Sequence, residues 1–398
     1  MTPTATESFA PWRDRSEASR NRWTVTATRP VSYDVALCDG ILDPANPALL
    51  RAVPRGVSPT ARRLLVIDSE VHRHYGRSFA DYFERHSIPS ATCVLNCDET
   101  TKHWGNVRTV LQALDRFGID RRNEPIVAAG GGVLLDVVGF AGSLYRRGTP
   151  VVRVPTTLIG LVDAGIGVKT GVNFDEHKNR IGTYHAADRV VLDPSFLRTV
   201  GRRHLSNGLA EILKMALIGD RRLFDLLDWH GAGLLAAKFQ RDGRHREAAT
   251  EVLERSIGGM LDELQPNLWE SSLERVVDYG HSFSPTLEMR ALPELLHGEA
   301  VSIDMALSTL LAEGRGLVTA TERSRVLRLM RALELPISHP LCTSELLISA
   351  LGDTTRHRGG RQRLPLPVGI GAARFVDDVD ERELEVAGES LAELAKNG

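Results

Sequence analysis

Apolar and polar positions along this chain follow two rhythms, and the rhythm changes once. In the first half, short apolar runs read as buried strands at 62–68 (RRLLVID), 125–132 (PIVAAGGG), 149–157 (TPVVRVPTT) and 189–194 (RVVLDP). Between them, Val107, Val110, Leu111, Leu114 and Phe117 recur at helical spacing, and Gly118 marks the C-terminal stop of that helix. Strands alternating with helices predict an α/β half with a mostly parallel sheet. After Asp193-Pro194 strand patterning almost vanishes. Helical periodicity then runs through 207–218, 246–264, 297–313, 321–334, 343–351 and 380–396, and Thr319 and Glu322 are spaced as a capping box. The expected organisation is a flexible lead-in over 1–22, an α/β domain over 23–195 and an all-α domain over 196–398.

A length of 398 residues suits two domains. Net charge is −2 with both signs interspersed, so there is no basic face for nucleic acid. No apolar run reaches the ~20 residues of a membrane span, and 1–22 lacks the apolar core of a signal peptide. Cys38, Cys93, Cys97 and Cys342 follow neither a metal-knuckle nor a disulfide spacing, which fits free thiols in a reducing cytoplasm.

Four stretches offer chemistry. Gly130, Gly131 and Gly132 end a strand and open a helix, a turn whose backbone N–H groups can approach a phosphate. The run is not G-x-G-x-x-G, so a tight turn without a ligand stays equally open. Asp136 either faces a cofactor there or serves the helix alone. Residues 154–185 show no regular periodicity and are rich in Gly, Thr and Asn, as a functional loop would be. Lys169, Lys178 and Asn179 within it suit an anionic, hydroxylated substrate. Glu211 and Lys214 stand three apart on one helical face, and for such a pair a surface ion pair is the commoner case. His281 and His297 are sixteen residues apart, a spacing that by itself favours structural histidines. With Glu211 they would instead make a His2Glu metal site with an open position.

Taken in order, GGGVLLDVVGF, RVPTTLIGLVDAGIGVKTGVN, HKNRIG, GLAEILK, GHSF and LHGEAV resemble the dehydroquinate synthase-like superfamily, the sugar phosphate cyclases, over ~60 to ~365. The resemblance implies an N-terminal α/β NAD-binding domain followed by an all-α metal-binding domain, bound NAD, one divalent metal (zinc or cobalt) and a homodimer. It implies Glu211, His281 and His297 as metal ligands. Asp68, Glu99, Lys102, Gly131, Gly132, Asp136, Thr156 and Thr157 fall at cofactor positions. Lys169, Lys214, Asn179, Asp278 and His357 fall at catalytic positions, and Arg147, Asp163, Lys178 and Pro285 at substrate positions.

Several positions depart from dehydroquinate synthase itself. Where it carries G-H-x-F-G-H, this chain has Gly280-His281-Ser282-Phe283-Ser284-Pro285, and Pro285 cannot make the contact of the second histidine. Asp278 replaces an asparagine, Met260 a lysine, and His357 stands in a lysine-rich stretch. A carboxylate at 278 is expected to repel a substrate carboxylate. The departures resemble the branch that cyclises sedoheptulose 7-phosphate, above all the 2-epi-5-epi-valiolone synthases. The 2-epi-valiolone and desmethyl-4-deoxygadusol synthases are the neighbouring readings, and dehydroquinate synthase the more distant one. Expected partners are thus a phosphorylated heptulose and a second copy of the chain, with neither nucleic acid nor membrane.

Overall fold

The apolar runs assemble into one six-stranded sheet in the computed structural model, which describes residues 24–175 and 177–396. The expected lead-in over 1–22 lies outside the described residues. The described residues hold ten strands, six of them in this sheet and four in two separate hairpins: β1 (Asp34–Leu37), β2 (Arg63–Asp68), β3 (Ser90–Leu95), β4 (Ile126–Gly130), β5 (Val151–Pro155), β6 (Lys169–Phe174), β7 (His177–Tyr184), β8 (Arg189–Leu192), β9 (Leu364–Pro367) and β10 (Ala373–Val376). The sheet order is β1-β8-β5-β4-β2-β3 with every pairing parallel. Along β2, Leu64 and Val66 enter one apolar cluster and Leu65 and Ile67 the other, so the sheet is buried on both faces. That is why these strands read as continuous apolar runs.

Crossover helices α1 (Ser69–Arg85), α2 (Trp104–Phe117) and α3 (Gly132–Leu144) link the strands. Gly118 ends α2 in the left-handed conformation (φ 63°), as its position predicts. From β2 the chain winds outward to β3, then returns to lay β4 on the other side of β2. The strand order reverses there, and the crevice beyond the C-terminal ends of β2 and β4 is the position where open α/β sheets bind ligands.

The helical half comprises α4 (Arg202–Gly219), α5 (Arg221–Ala236), α6 (Arg246–Leu264), α7 (Ser284–Arg290), α8 (His297–Gly314), α9 (Ala320–Ala332), α10 (Ser344–His357) and α11 (Glu381–Lys396). Thr319 and Glu322 form the expected capping box of α9. Nearly every residue of α4 and α8 is buried, which makes these two helices the centre of the layer. The largest apolar cluster joins them to Leu158, Leu161, Ile166 and Val190, so strand patterning stops near 195 but apolar packing crosses it.

Several elements depart from the sequence pattern. Residues 154–185 are not an irregular loop: they hold a π-helical turn (Gly160–Ala164) and the antiparallel hairpin β6–β7. β7 is exposed at most positions, so burial leaves no alternation in its sequence. The edge strands β1 and β3 escape notice for the same reason. The helical half also contains the β9–β10 hairpin, and helix α5 lies in it unpredicted. Among the described residues no helix is long and apolar enough to cross a membrane.

Candidate active site

Helix α4 brings Glu211 and Lys214 to its inner face, where both are buried rather than exposed as a surface pair. Lys214 Nζ lies 2.5 Å from Glu211 Oε2. Helix α8 starts against α4 at backbone contact: a Cβ at Gly298 would come within 2.0 Å of Asn207 O. Gly298 N donates to Asn207 Oδ1 at 2.6 Å. This close approach sets His297, the first residue of α8, over Glu211, with Nε2 3.5 Å from Oε1. His281 enters from the turn before α7, with Nε2 3.8 Å from the same oxygen. One ligand atom from each of the three side chains lies within 4.8 Å of the others, the proximity that the His2Glu reading requires.

That turn is held by Asp304, buried two turns along α8. Its Oδ2 accepts the backbone N–H groups of Ser282, Phe283 and Ser284 at 2.8, 2.6 and 2.9 Å. Glu288 of α7 accepts from His297 Nδ1 at 2.9 Å and also pairs with Lys178. This orients the ring so that Nε2 faces Glu211. Burial and the Lys214 cation push His281 down to about 3, so it is neutral at pH 7. Burial and Lys178 disfavour charge on His297, but Glu288 and Glu211 override them and push it up to about 9. Burial would raise the Glu211 carboxyl, yet Lys214 and both histidines hold it well below the usual range. Despite these ion-pair contacts, neither buried Glu211 oxygen has a partner at hydrogen-bond geometry. A buried carboxylate with both oxygens so exposed to cationic partners, beside one neutral imidazole, fits a divalent cation.

The second assembly lies beyond β2 and β4. Gly131 caps α3 without a side chain. A Cβ there would come within 3.2 Å of Thr157 Cγ2, and one at Gly132 within 3.1 Å of Ala164 Cβ, so these glycines keep the helix N-terminus open to approach. Thr156 Oγ1 is buried without a partner. Asp68 accepts from Glu70 N (2.9 Å) at the start of α1, and burial raises its pKa. Glu99 accepts from Asn173 Nδ2 at 2.9 Å. Lys102 Nζ donates to Asp136 Oδ2 and to Asn179 Oδ1, both at 2.6 Å, so Asp136 does more than serve its helix. Burial opposes the Lys102 charge, but Asp136 and Glu99 keep its pKa above the usual lysine value. Adjacent residues of β7 join the two assemblies: Asn179 reaches Lys102 while Lys178 reaches Glu288, with Nζ 3.0 Å from His297 Nδ1.

Residues 92–207 match the family described as 3-dehydroquinate synthase N-terminal, and 208–355 match 3-dehydroquinate synthase C-terminal. The chain belongs to the dehydroquinate synthase-like family. Within this family it is 55% identical over 397 residues to a 2-epi-5-epi-valiolone synthase of Streptomyces hygroscopicus subsp. jinggangensis, covering 99% of this chain and 96% of the relative. A demethyl-4-deoxygadusol synthase of Trichormus variabilis is 37% identical, covering 93% and 90%. The solved structure of ValA, a 2-epi-5-epi-valiolone synthase from the same Streptomyces with NAD+ and Zn2+ bound, matches with a TM-score of 0.89 at 55% identity, covering 94% of this chain and all of that one.

Not every position drawn from the family resemblance joins the cluster. Asp163 does: it is half-buried in the π-helical turn, and desolvation with the nearby Glu211 charge raises its pKa against Lys214. Lys169 is paired with Glu270. Asp278 is not a bare repelling carboxylate, because Arg275 Nη1 lies 3.4 Å and Arg358 Nη2 3.9 Å from its oxygens. His357 is a correction: it ends α10 exposed, and the next residue, Arg358, turns inward. Arg147 is exposed on a turn. Pro285 is exposed too, in the first turn of α7, where a missing N–H costs nothing, so its position has a structural reason. Met260 is part of the apolar core.

Sequence reasoning missed Glu288, Asp304 and Arg358. Glu288 sits in a seven-residue helix, too short for periodicity to reveal. Asp304 could have been found, as the carboxylate in the middle of the apolar run 300–312.

Proposed function

We propose that this chain is a NAD- and zinc-dependent sugar phosphate cyclase that converts sedoheptulose 7-phosphate into 2-epi-5-epi-valiolone and phosphate in C7-cyclitol biosynthesis. The branch rests on 55% identity to a synthase of that name along nearly the whole chain, against 37% to a demethyl-4-deoxygadusol synthase. The observation that carries the chemistry is β7, whose neighbouring residues Lys178 and Asn179 tie the His2Glu cluster to the glycine cradle in one site. The product is the substrate less one phosphoric acid, so no net oxidation occurs.

Glu211, His281 and His297 would hold the metal, and cobalt suits the same donors. Gly131, Gly132, Thr156, Thr157, Asp68, Glu99, Lys102 and Asp136 would hold NAD, over 23–195, with 196–398 supplying the metal side. When bound, NAD supplies reversible hydride removal at one ring carbinol and the metal polarises oxygen there. Lys214 presents a cationic Nζ beside that position: burial opposes its charge, but Glu211 and Asp163 hold its pKa above the usual lysine value. Lys169 offers a half-exposed cation for the phosphate end, and Lys178, held by Glu288, a more sheltered one. Asn179 presents its amide beside Lys102, and Asp278, with its arginines, lines the helical side. Elimination of phosphate classes the enzyme as a carbon–oxygen lyase. We further infer a homodimer in the cytoplasm, where the four cysteines remain free thiols.

The test incubates purified protein with sedoheptulose 7-phosphate, catalytic NAD and zinc, and resolves the product by NMR. The expected result is 2-epi-5-epi-valiolone with equimolar phosphate and no accumulation of NADH. A different cyclitol moves the protein to a neighbouring branch. Stoichiometric NADH, or turnover only of the carboxylated heptulosonate phosphate, overturns the reading.

A further inference from the structure

Strand β5 (VVRVP) is buried at every position. Val152 and Val154 pack into the cluster on one face of the sheet and Val151 into the other. Arg153 sits between the valines at 1% exposure, a charge in the middle of a central parallel strand. It breaks the apolar pattern that the rest of the strand keeps, and such breaks mark function or strain.

The guanidinium has no carboxylate partner among the described residues within ion-pair distance. Its Nη1 donates to the carbonyls of Gly165 (3.4 Å) and Gly167, while Nε and Nη2 have no partner. Arg63, the other fully buried arginine of the sheet, is a contrast: both of its terminal nitrogens donate, to the carbonyls of Leu49, Leu50 and Pro59. A buried arginine left half-satisfied is poor value for stability alone. Between the two Arg153 contacts, Tyr33 OH donates to Ile166 O at 2.9 Å. Three consecutive carbonyls, 165 to 167, are therefore held by two side chains from outside the turn.

That turn is short and irregular. It follows the π-helical turn bearing Asp163 and precedes β6, which begins at Lys169. It also packs tightly, since a Cβ at Gly165 would come within 2.3 Å of Gly160 O. The spacing of Asp163 from Lys169 depends on how these peptides lie, and neither helix nor sheet bonds fix their carbonyls. We propose that Arg153 and Tyr33 form a clamp on 165–167 that positions Asp163 against Lys169. They are positioning residues that touch neither substrate nor cofactor. The kinetic part of this proposal rests on the cyclase reading.

The test compares full-length, metal- and NAD-loaded Arg153→Met, Arg153→Lys and Tyr33→Phe with wild type. Amide hydrogen exchange over 163–169 should rise at least several-fold in Arg153→Met and Tyr33→Phe and stay unchanged elsewhere. The kcat/KM for sedoheptulose 7-phosphate should fall at least ten-fold in Arg153→Met and several-fold in Tyr33→Phe. Zinc content, NAD affinity and melting temperature should hold. Arg153→Lys, which keeps one donor, should recover part of the activity. Tyr33→Phe, the milder change, decides the matter if Arg153→Met does not fold. Unchanged exchange at 163–169 overturns the clamp. So does kcat/KM within two-fold of wild type in a loosened variant, or a joint loss of zinc, NAD and thermal stability. If wild type itself does not turn over the sugar phosphate, the functional reading fails and the exchange measurement alone judges the clamp.

Discussion

Asp278 shows how a single residue changes meaning once its neighbours are known. Read alone, its carboxylate repels a substrate carboxylate. In the structure it is flanked by Arg275 at 3.4 Å and by the buried Arg358 at 3.9 Å, so its charge is largely spent within the protein. The acid fills a basic pocket that would otherwise suit an external carboxylate. Asp278→Asn should therefore admit carboxylated sugars better, because it takes the carboxylate neighbour from Arg358 as well as removing a repulsion, while Arg275 stays paired with Glu270. The expected change is about ten-fold, roughly 1.4 kcal/mol, in relative kcat/KM for the heptulosonate over the heptulose phosphate. Leaving Arg358 less paired should also lower stability by about 1–3 kcal/mol. Steady-state kinetics with both sugars and a urea titration measure the two effects. An unchanged substrate ratio would show that selectivity lies elsewhere. At this scale the sequence was partly legible: the residue types of the metal set stood out, but the arginines that reset Asp278 come from segments distant along the chain. His357 drew attention in place of Arg358 because adjacent residues point apart, and only the backbone says which one faces inward.

At the scale of elements, most helices of the second half were legible, though not α5 or α7, and the edge strands were not. A helix such as α8 buries nearly its whole surface and reads as a long apolar run, whereas β3 and β7 bury little and keep almost no pattern. The junction of α7 and α8 matters more to the site than either helix. Asp304 there gathers three successive N–H groups on one oxygen and so fixes the backbone that carries His281. Burial raises its carboxyl pKa, against the N–H groups and Ser308 that favour the anion. Asp304→Ala would strand three buried donors and should cost about 3–5 kcal/mol. Asp304→Asn keeps an acceptor oxygen, so the fold should survive while the His281 turn loosens. Its zinc affinity should fall on the order of 10- to 100-fold, the usual effect of losing a group that orients a ligand. Competition with a zinc-binding dye reads this directly. Affinity within two-fold of wild type would mean that the turn holds His281 without Asp304.

Across the whole molecule, the site exists because distant segments converge. The sixteen residues between His281 and His297 conveyed nothing by spacing. The two side chains meet only because Gly298 lets α8 touch the backbone of α4, and because the turn after Gly280 folds back onto α8. A cation bound to Glu211, His281 and His297 would pin α4, that turn and α8 together, so its removal should register in global stability. With free zinc at about 100 times its dissociation constant, linkage gives about 2.7 kcal/mol. For a chain of this length that corresponds to about 3 °C in melting temperature. Chelation of wild type should produce this drop, and restored zinc should reverse it. His297→Ala should melt at one temperature with or without zinc, because two remaining ligands hold the ion poorly. That variant separates binding at this cluster from adventitious zinc elsewhere, which would shift both proteins alike. A wild type indifferent to chelation after verified loss of its metal would refute the cluster as a metal centre. It would leave Lys214 and the two histidines as a buried polar network around Glu211, with Lys214 as its counter-charge.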